Sequence, residues 1–340
     1  MKWKWIIGTL ILAVSLIGGY FVYQLYNAVN GPNLKDSETS FLYVFPGTSM
    51  DSLEINLEDH LSSLEDFRLT TRIMQFGEED IKTGRYDLRG LTSNRELINL
   101  LRSGRQAPVN VVIHNERAIQ DVAGKISRYL LLDSARILEC LVQSSDLEAE
   151  GFSDEILISL IIPNTYQMFW NTSCETLIKR LIREHDKFWT AKRLRQADSL
   201  GLSPAEVYTL ASIVDRETIA PREKPMVAGV YLNRIKKGML LQADPTVVFA
   251  NNILDTRRVL YKHLELDSPY NTYIYPGLPP GPIGIASISG IDAVLDPENH
   301  NYIYMVAKPD NSGLHNFSSD LRIHNQYARA YQQWLNQRGI

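Results

Sequence analysis

The pattern of apolar and polar positions changes character after Tyr26. Residues 6–26, IIGTLILAVSLIGGYFVYQLY, carry no charge, and about 20 such residues are enough to cross a bilayer as a helix. The next stretch, NAVNGPNLKDSE, is polar and punctuated by Gly and Pro, as a linker would be. Short periodic groups follow. SFLYVF at 40–45 reads as a strand stopped by Pro46-Gly47. Thr48 caps an expected helix to about Leu64, and FRLTTRIMQF at 67–76 reads as another. A strand at 84–88 and a helix capped by Ser93 and running through Leu101 complete a strand, helix, helix, strand, helix order, which predicts a small α+β module over 40–108.

The strand VNVVIH at 109–114 opens a larger domain, 109–340. Its first part is mostly helical, with stripes such as Ile119, Val122, Ile126 and Leu130, or Ile178, Leu181 and Ile182, that belong to a core. Between them LIIPNTYQMFWNTS, interrupted by Pro163, reads as a loop with short strands whose aromatic residues face inward. Residues 224–237 form a helix closed by Gly238. LQADPTVVFA, SPYNTYIYPGLPPGPIGI and HNFSS are expected to be loops, YIYMVAK at 302–308 a strand, and 319–338 a terminal helix.

The stretch from Ser203 to Asn233 carries the sharpest chemical signal. Ser203 is a good N-cap, Pro204 suits the first helical position, and Glu206 completes a capping box. Val207, Leu210, Ala211 and Val214 then recur at three- and four-residue spacing, and the next place on that stripe is Glu217. Asp215 falls about 200° away and faces elsewhere, so the two acids do not converge. A carboxyl on an apolar face is desolvated, which raises its pKa towards the range where it can donate a proton near neutrality. The plain alternative is a solvated helix end, or a Glu217 bonded to Arg216 or Arg222.

Composition narrows the possibilities. With 35 basic and 39 acidic residues the net charge is −4, which gives no electrostatic reason to expect nucleic-acid binding. Lys2 and Lys4 precede the apolar run, and no charge follows until Lys35. The bias places a short tail, 1–4, in the cytoplasm, a single transmembrane helix at 5–26, a linker at 27–39 and the rest outside. A cleaved signal peptide is the rival reading, opposed by the length of the apolar run and by an exit, YFVYQLYNAVN, without a small-x-small cleavage site. Cys140 and Cys174 could pair there or remain buried thiols. The seven histidines show no HExxH and no cysteine partner, so neither a metal nor another cofactor is expected. No GxSxG elbow or phosphate loop is present either.

LASIVDRET (210–218), VYLNRIKKGMLLQADPTVVFA (230–250), PYNTYIYPGLPPGPI (269–283), YIYMVAKPD (302–310) and HNFSSDLRIHN (315–325) follow one another. In that order they resemble the successive motifs of the MltG/YceG family, endolytic murein transglycosylases anchored in the bacterial inner membrane. The resemblance runs from about Ser40 to the end. It implies an α+β chain with an N-terminal transmembrane helix, a small LysM-like α+β module and a larger mixed α/β catalytic domain. Family members often read E-x-E where this chain has Asp215-Arg216-Glu217, and the helical face favours Glu217 as the catalytic acid. Asn164 stands where the family segment usually has Asp.

The resemblance further implies that Gln242, Asp244, Thr246, Tyr270, Asn271, Thr272 and Tyr273 line a glycan cleft, with Asn233 and His315 as supports. Each also has a plain structural role open to it: Asn233 as a brace between helices, Asp244-Pro245 as the start of a turn, 270–273 as packing against the Pro-rich loop. The implied substrate is nascent peptidoglycan, cut between N-acetylmuramic acid (MurNAc) and N-acetylglucosamine (GlcNAc) to leave 1,6-anhydro ends that limit strand length, beside penicillin-binding synthases. A single acid suffices for that reaction, whereas the usual hydrolase needs two carboxyls about 5–9.5 Å apart. If Asp244 came near Glu217, a muramidase-type hydrolysis would be possible. From a different class, a membrane-tethered scaffold could grip peptidoglycan without cutting it.

Overall fold

The computed structural model describes residues 2–35, 41–253 and 260–338. Met1 of the expected tail, residues 36–39 of the expected linker and Ser40 at the start of the expected strand lie outside them. The chain forms a mixed α+β structure of two compact units, Met1–Asn110 with Gln167–Thr172, and Val111–Tyr166 with Ser173–Ile340.

The first unit begins with a long helix, α1 (Lys2–Asn30). Its most apolar window has a mean hydropathy of 2.1 and none of it is buried, which fits a transmembrane anchor. The helix continues past the expected end at Tyr26. Ala28 and Val29 are buried, and the Ala28 carbonyl accepts hydrogen bonds from Thr70 Oγ1 (3.0 Å) and Asn94 Nδ2 (2.9 Å). Asn27–Asn30 is therefore a docked helical turn and not linker, because packing gives it partners that its polar sequence does not advertise.

Strand β1 (Phe41–Val44) pairs antiparallel with a later strand, β2 (Gly84–Asp87), placing Leu42 opposite Tyr86. Between them lie α2 (Met50–Leu57) and α3 (Leu64–Ile73), and after them α4 (Asn94–Ser103). Both helices expected here are present with other bounds: the first stops at Leu57 and not near Leu64, and the second begins at Leu64 and not at Phe67. Ser49 is the cap of α2. Leu61 forms a β-bridge with Leu34, and Ser63 is held by Asn33 through both its N–H and its carbonyl before capping α3. Those long-range contacts win over the local helical pattern. Leu53, Leu57, Phe67, Tyr86, Leu97 and Leu101 fill the core of this unit.

Strand β3 (Val109–Ile113) pairs with the later β4 (Asn164–Met168). Between them run α5 (Ile119–Ser127), α6 (Ser134–Val142) and α7 (Ser145–Ala149). Then come α8 (Cys174–Phe188), α9 (Ala191–Leu200), α10 (Pro204–Glu217) and α11 (Lys224–Lys236). Cys140 of α6 and Cys174 of α8 form a disulfide across a separation of 34 residues, a closure worth roughly 3–4 kcal/mol in chain entropy.

Two segments expected to be loops are ordered elements. ADPTVVFA contains α12 (Asp244–Ala250), started by a proline whose fixed φ suits a first turn. HNFS is β6 (His315–Ser318), paired antiparallel with β5 (Tyr304–Ala307). The other late elements are α13 (Tyr261–Leu264), α14 (Ile288–Leu295) and α15 (Leu321–Asn336). At the centre of this unit α10 packs against α11 and α14, and Val207, Leu210, Ala211 and Val214 are completely buried.

Candidate active site

The capping box at the start of α10 is made as its sequence suggests: Ser203 Oγ accepts from the Glu206 N–H, and the Glu206 carboxylate accepts from the Ser203 N–H (2.8 Å). The helix ends at Glu217, and Thr218 leaves it in an extended conformation. The two acids of the last turn then part company. Asp215 meets Lys224 Nζ at 2.7 Å and accepts from the Ser287 backbone N–H (2.5 Å) and hydroxyl (2.9 Å). Gly290 has to be glycine here, because a Cβ would lie 2.5 Å from Asp215 Oδ1.

Glu217 faces a cleft of about 690 Å³. Its Oε1 accepts a hydrogen bond from Tyr231 of α11 at 2.6 Å. One turn along α11 lies Arg234, buried and fixed by the carbonyls of Ile303 (2.6 Å), Leu240 (3.1 Å) and Leu241 (2.8 Å) and by Gln242 Oε1 (3.2 Å). Asp244, first residue of α12, lines the same cleft and accepts from the Tyr273 hydroxyl at 2.5 Å. Arg117, Asp121 and Arg216 contribute polar groups to its lining, and Ala118, Pro245, Val248, Phe249, Ile253 and Ile283 apolar ones.

The Glu217 carboxyl keeps a partial opening to the cleft but is otherwise surrounded by protein, and this desolvation pushes its pKa up to about 7. The Tyr231 hydrogen bond opposes the rise, the Asp244 charge adds to it, and the Arg234 charge opposes it. Burial and the neighbouring Glu217 hold the Tyr231 phenol well above its ordinary value, so it remains a donor. Burial and the bond to Asp244 do the same for Tyr273. Near neutral pH the site thus holds one carboxyl poised between acid and base, beside two phenols that stay protonated.

Of the expected site residues the structure brings Glu217 and Asp244 to this cleft, with Tyr273 behind Asp244 and Gln242 behind Arg234, and gives the others structural contacts. Thr246, Asn271 and Thr272 are inside the fold, with no more than 1% exposure. They satisfy the irregular backbone that holds the cleft: Thr272 Oγ1 accepts from the Ala243 N–H and meets Thr246 Oγ1 at 2.8 Å, and Asn271 donates to the carbonyls of Leu264 and Leu266. This framework fixes Gln242 in a left-handed conformation, φ +50°, through its N–H to Thr272. Tyr270 packs on Phe249 with ring centroids 4.9 Å apart. Asn233 braces α11 by donating to the carbonyls of His300 and Tyr302. His315 is bound through its N–H and Nδ1 to the buried Glu223.

Tyr231, Arg234 and Arg117 are cleft or carboxyl neighbours that the sequence pattern did not single out; Arg216, offered there as a bonding partner of Glu217, lines the cleft, but among the described residues the side chain bonded to Glu217 is Tyr231. A Tyr and an Arg three residues apart on one helical face was the available signal for the first two.

The family model described as the YceG-like family matches residues 42–330. The endolytic murein transglycosylase of Bacillus subtilis (strain 168) is 28% identical over 342 residues, covering 95% of this chain and 93% of that protein. The endolytic murein transglycosylase of Streptococcus pneumoniae serotype 2 (strain D39) is 26% identical over 334 residues, covering 87% of this chain and 59% of that protein. A crystal structure at 2.6 Å of a yceG-like protein from Listeria monocytogenes superposes with a TM-score of 0.55 at 29% identity, covering 84% of this chain and 98% of that one.

Proposed function

The chain belongs to the YceG-like family, and on that premise we propose that it is a lytic transglycosylase cutting within nascent peptidoglycan strands. It cleaves the bond between MurNAc and GlcNAc and leaves 1,6-anhydro-MurNAc ends, which limits strand length. The names of the relatives support the activity, and one observation carries the chemistry. Glu217 is a carboxyl with a pKa raised to about 7, open to a cleft large enough for sugar residues.

In this reading Glu217 donates its proton to the leaving GlcNAc oxygen as the bond to muramyl C1 breaks. As a carboxylate it then takes the proton of the muramyl 6-hydroxyl while O6 bonds to C1, which closes the ring and regenerates the acid. Tyr231 holds Oε1, which leaves Oε2 to carry the proton. The apolar wall at Val248, Phe249 and Ile283 gives the sugar faces something to pack on, and Asp244, held by Tyr273, supplies a group for their hydroxyls.

A second reading is favoured by Asp244, which lines the same cleft and acts electrostatically on Glu217. As a base for water it would turn the reaction into hydrolysis. A scaffold without catalysis has no use for a carboxyl held near 7 in an open cleft. The uninterrupted apolar α1 supports a single-pass anchor in the bacterial cytoplasmic membrane with the catalytic unit outside. That location suits work beside penicillin-binding synthases. The short helices packed beside the β1–β2 pair support a glycan-gripping, LysM-like role for the first unit.

Mass spectrometry of strands digested by the full chain tests the proposal. Anhydro-muramyl ends, absent with Glu217→Gln, are expected. Reducing muramyl ends would mean hydrolysis with Asp244 as the second carboxyl, and binding without cleavage would mean a scaffold.

A further inference from the structure

Two arginines in the cleft have no role in the reaction described above. Arg117 lies just before α5, and Arg216 directly precedes Glu217; both line the cleft. They meet around Gly284. A Cβ there would lie 3.2 Å from Arg216 Nη2, 3.5 Å from the Glu116 carbonyl and 3.6 Å from Arg117 Cα. The Ile285 N–H bonds to that same carbonyl at 2.9 Å, so the backbone of the 283–285 loop and of Arg117 forms a bed for the Arg216 guanidinium.

The carboxylates nearby are already engaged. Glu116 pairs with Lys125 (3.7 Å) and accepts from the His114 and Asn115 N–H groups. Asp121 accepts from the Ala118 N–H at the start of α5 (3.0 Å). Asp215 is held by Lys224 and Ser287, and Asp244 by Tyr273. Among the described residues neither guanidinium enters an ion pair or a side-chain hydrogen bond. Burial lowers the Arg216 pKa and the Arg117 charge lowers it further, while the Asp215 charge opposes both.

We infer that Arg117 and Arg216 together bind a carboxylate of the stem peptide carried by the muramyl residue. Two planar forks facing one space suit a carboxylate or a phosphate. Position decides between them. Arg117 and Arg216 line the same cleft as the proposed acid, so the anion belongs to the stretch of glycan held there. A strand cut internally offers a stem-peptide carboxylate at every such place, whereas a lipid-linked diphosphate occurs at one end only. The inference rests on the transglycosylase reading and gives the cleft a preference for peptide-bearing over denuded strands.

The test uses the full chain in detergent with Glu217→Gln to block turnover. It measures binding of a muramyl oligosaccharide bearing stem peptides and of the same compound with its peptide carboxyls converted to methylamides. The free carboxylates are expected to bind about ten-fold more tightly, the gain typical of charged hydrogen bonds. The ratio should fall to about one in Arg117→Gln/Arg216→Gln and be partly kept in Arg117→Lys/Arg216→Lys. Equal affinities, a ratio that survives in the Gln variant, or no binding of either compound overturns the inference. So does competition by inorganic pyrophosphate where the methylamides make no difference, which would identify a diphosphate site. Cleavage is followed in parallel with Glu217 intact. Discrimination without cleavage would leave the arginine site standing and remove the transglycosylase; cleavage without discrimination would do the reverse.

Discussion

Asp215 and Glu217 leave the same turn of α10 and enter opposite surroundings. Around Asp215 there is a lysine at 2.7 Å, a backbone N–H, a hydroxyl and a glycine that makes room for them. Around Glu217 there is one phenol, an open cleft and a second carboxylate whose charge adds to the effect of burial. The first environment neutralises a charge in place. The second makes the charge expensive and so keeps a proton within reach at neutral pH. Two residues of helix separate a structural carboxylate from a chemical one, and the contacts, not the residue types, make the difference.

The sharpest way to break this comparison is to remove each acid in turn. Glu217→Gln is expected to lower the cleavage rate by about 10²–10⁴-fold, whereas Asp215→Asn should retain the reaction and lose stability instead; strand-cleavage assays decide. An activity loss as large for Asp215→Asn would reverse the assignment.

Next in size is the partner of Asp215. Lys224→Met leaves a poorly solvated carboxylate without its cation and should cost about 3 kcal/mol, read from the denaturation midpoint. Adding Asp215→Asn to it should recover part of that loss, since the unpaired charge is then gone. No recovery would mean that the pair matters for packing only.

A smaller effect separates the two acids by pH. The folded pKa of Glu217, about 7, lies above its ordinary value of 4.5, so the folded state binds the proton more tightly. This contribution to stability is present at low pH and is lost as pH rises from about 4.5 to 7. Glu217→Gln should therefore raise the melting temperature at pH 8 by about 2–6 °C, equivalent to roughly 1–2 kcal/mol, and leave it unchanged at pH 4. Destabilisation at pH 8 would show that the carboxylate is well paired after all.

The smallest expected effect is that of Tyr231→Phe. The Tyr231 bond favours the carboxylate, so losing it should move the alkaline limb of the pH–rate profile up by about half a unit to one unit, with only a few-fold change in maximal rate. An unmoved limb would mean that another donor holds Oε1.

Much of this was legible in the sequence. The apolar stripe from Val207 to Val214 put Glu217 on the inner face of its helix and turned Asp215 away, because side-chain direction follows from helical pitch alone. The charge-free run likewise gave α1, although not its last turn, which depends on Thr70 and Asn94. Tyr231 was hidden in plain view: it sits among Val227, Val230 and Ile235 on α11, and a tyrosine fits an apolar stripe whether or not its hydroxyl works. Arg117 joins the cleft from about 100 residues upstream, a long-range placement that local pattern does not carry. Thr246, Asn271 and Thr272 misled in an instructive way. Amide and hydroxyl groups in a Pro- and Gly-rich stretch are what a sugar site needs, but they are equally what irregular backbone needs to satisfy its own N–H and C=O groups, and here the backbone uses them. Asp-Pro looked like a turn and begins a helix, which is how Asp244 comes to face Glu217.

The most direct test of the central claim, that Glu217 is a proton donor tuned by burial, is the rate of strand cleavage by the intact chain between pH 5 and 9. The account requires a rate that falls as pH rises, with an apparent pKa near 7 and no such limb in the residual activity of Glu217→Gln. A profile flat through neutrality, or one whose limb survives the substitution, would contradict it.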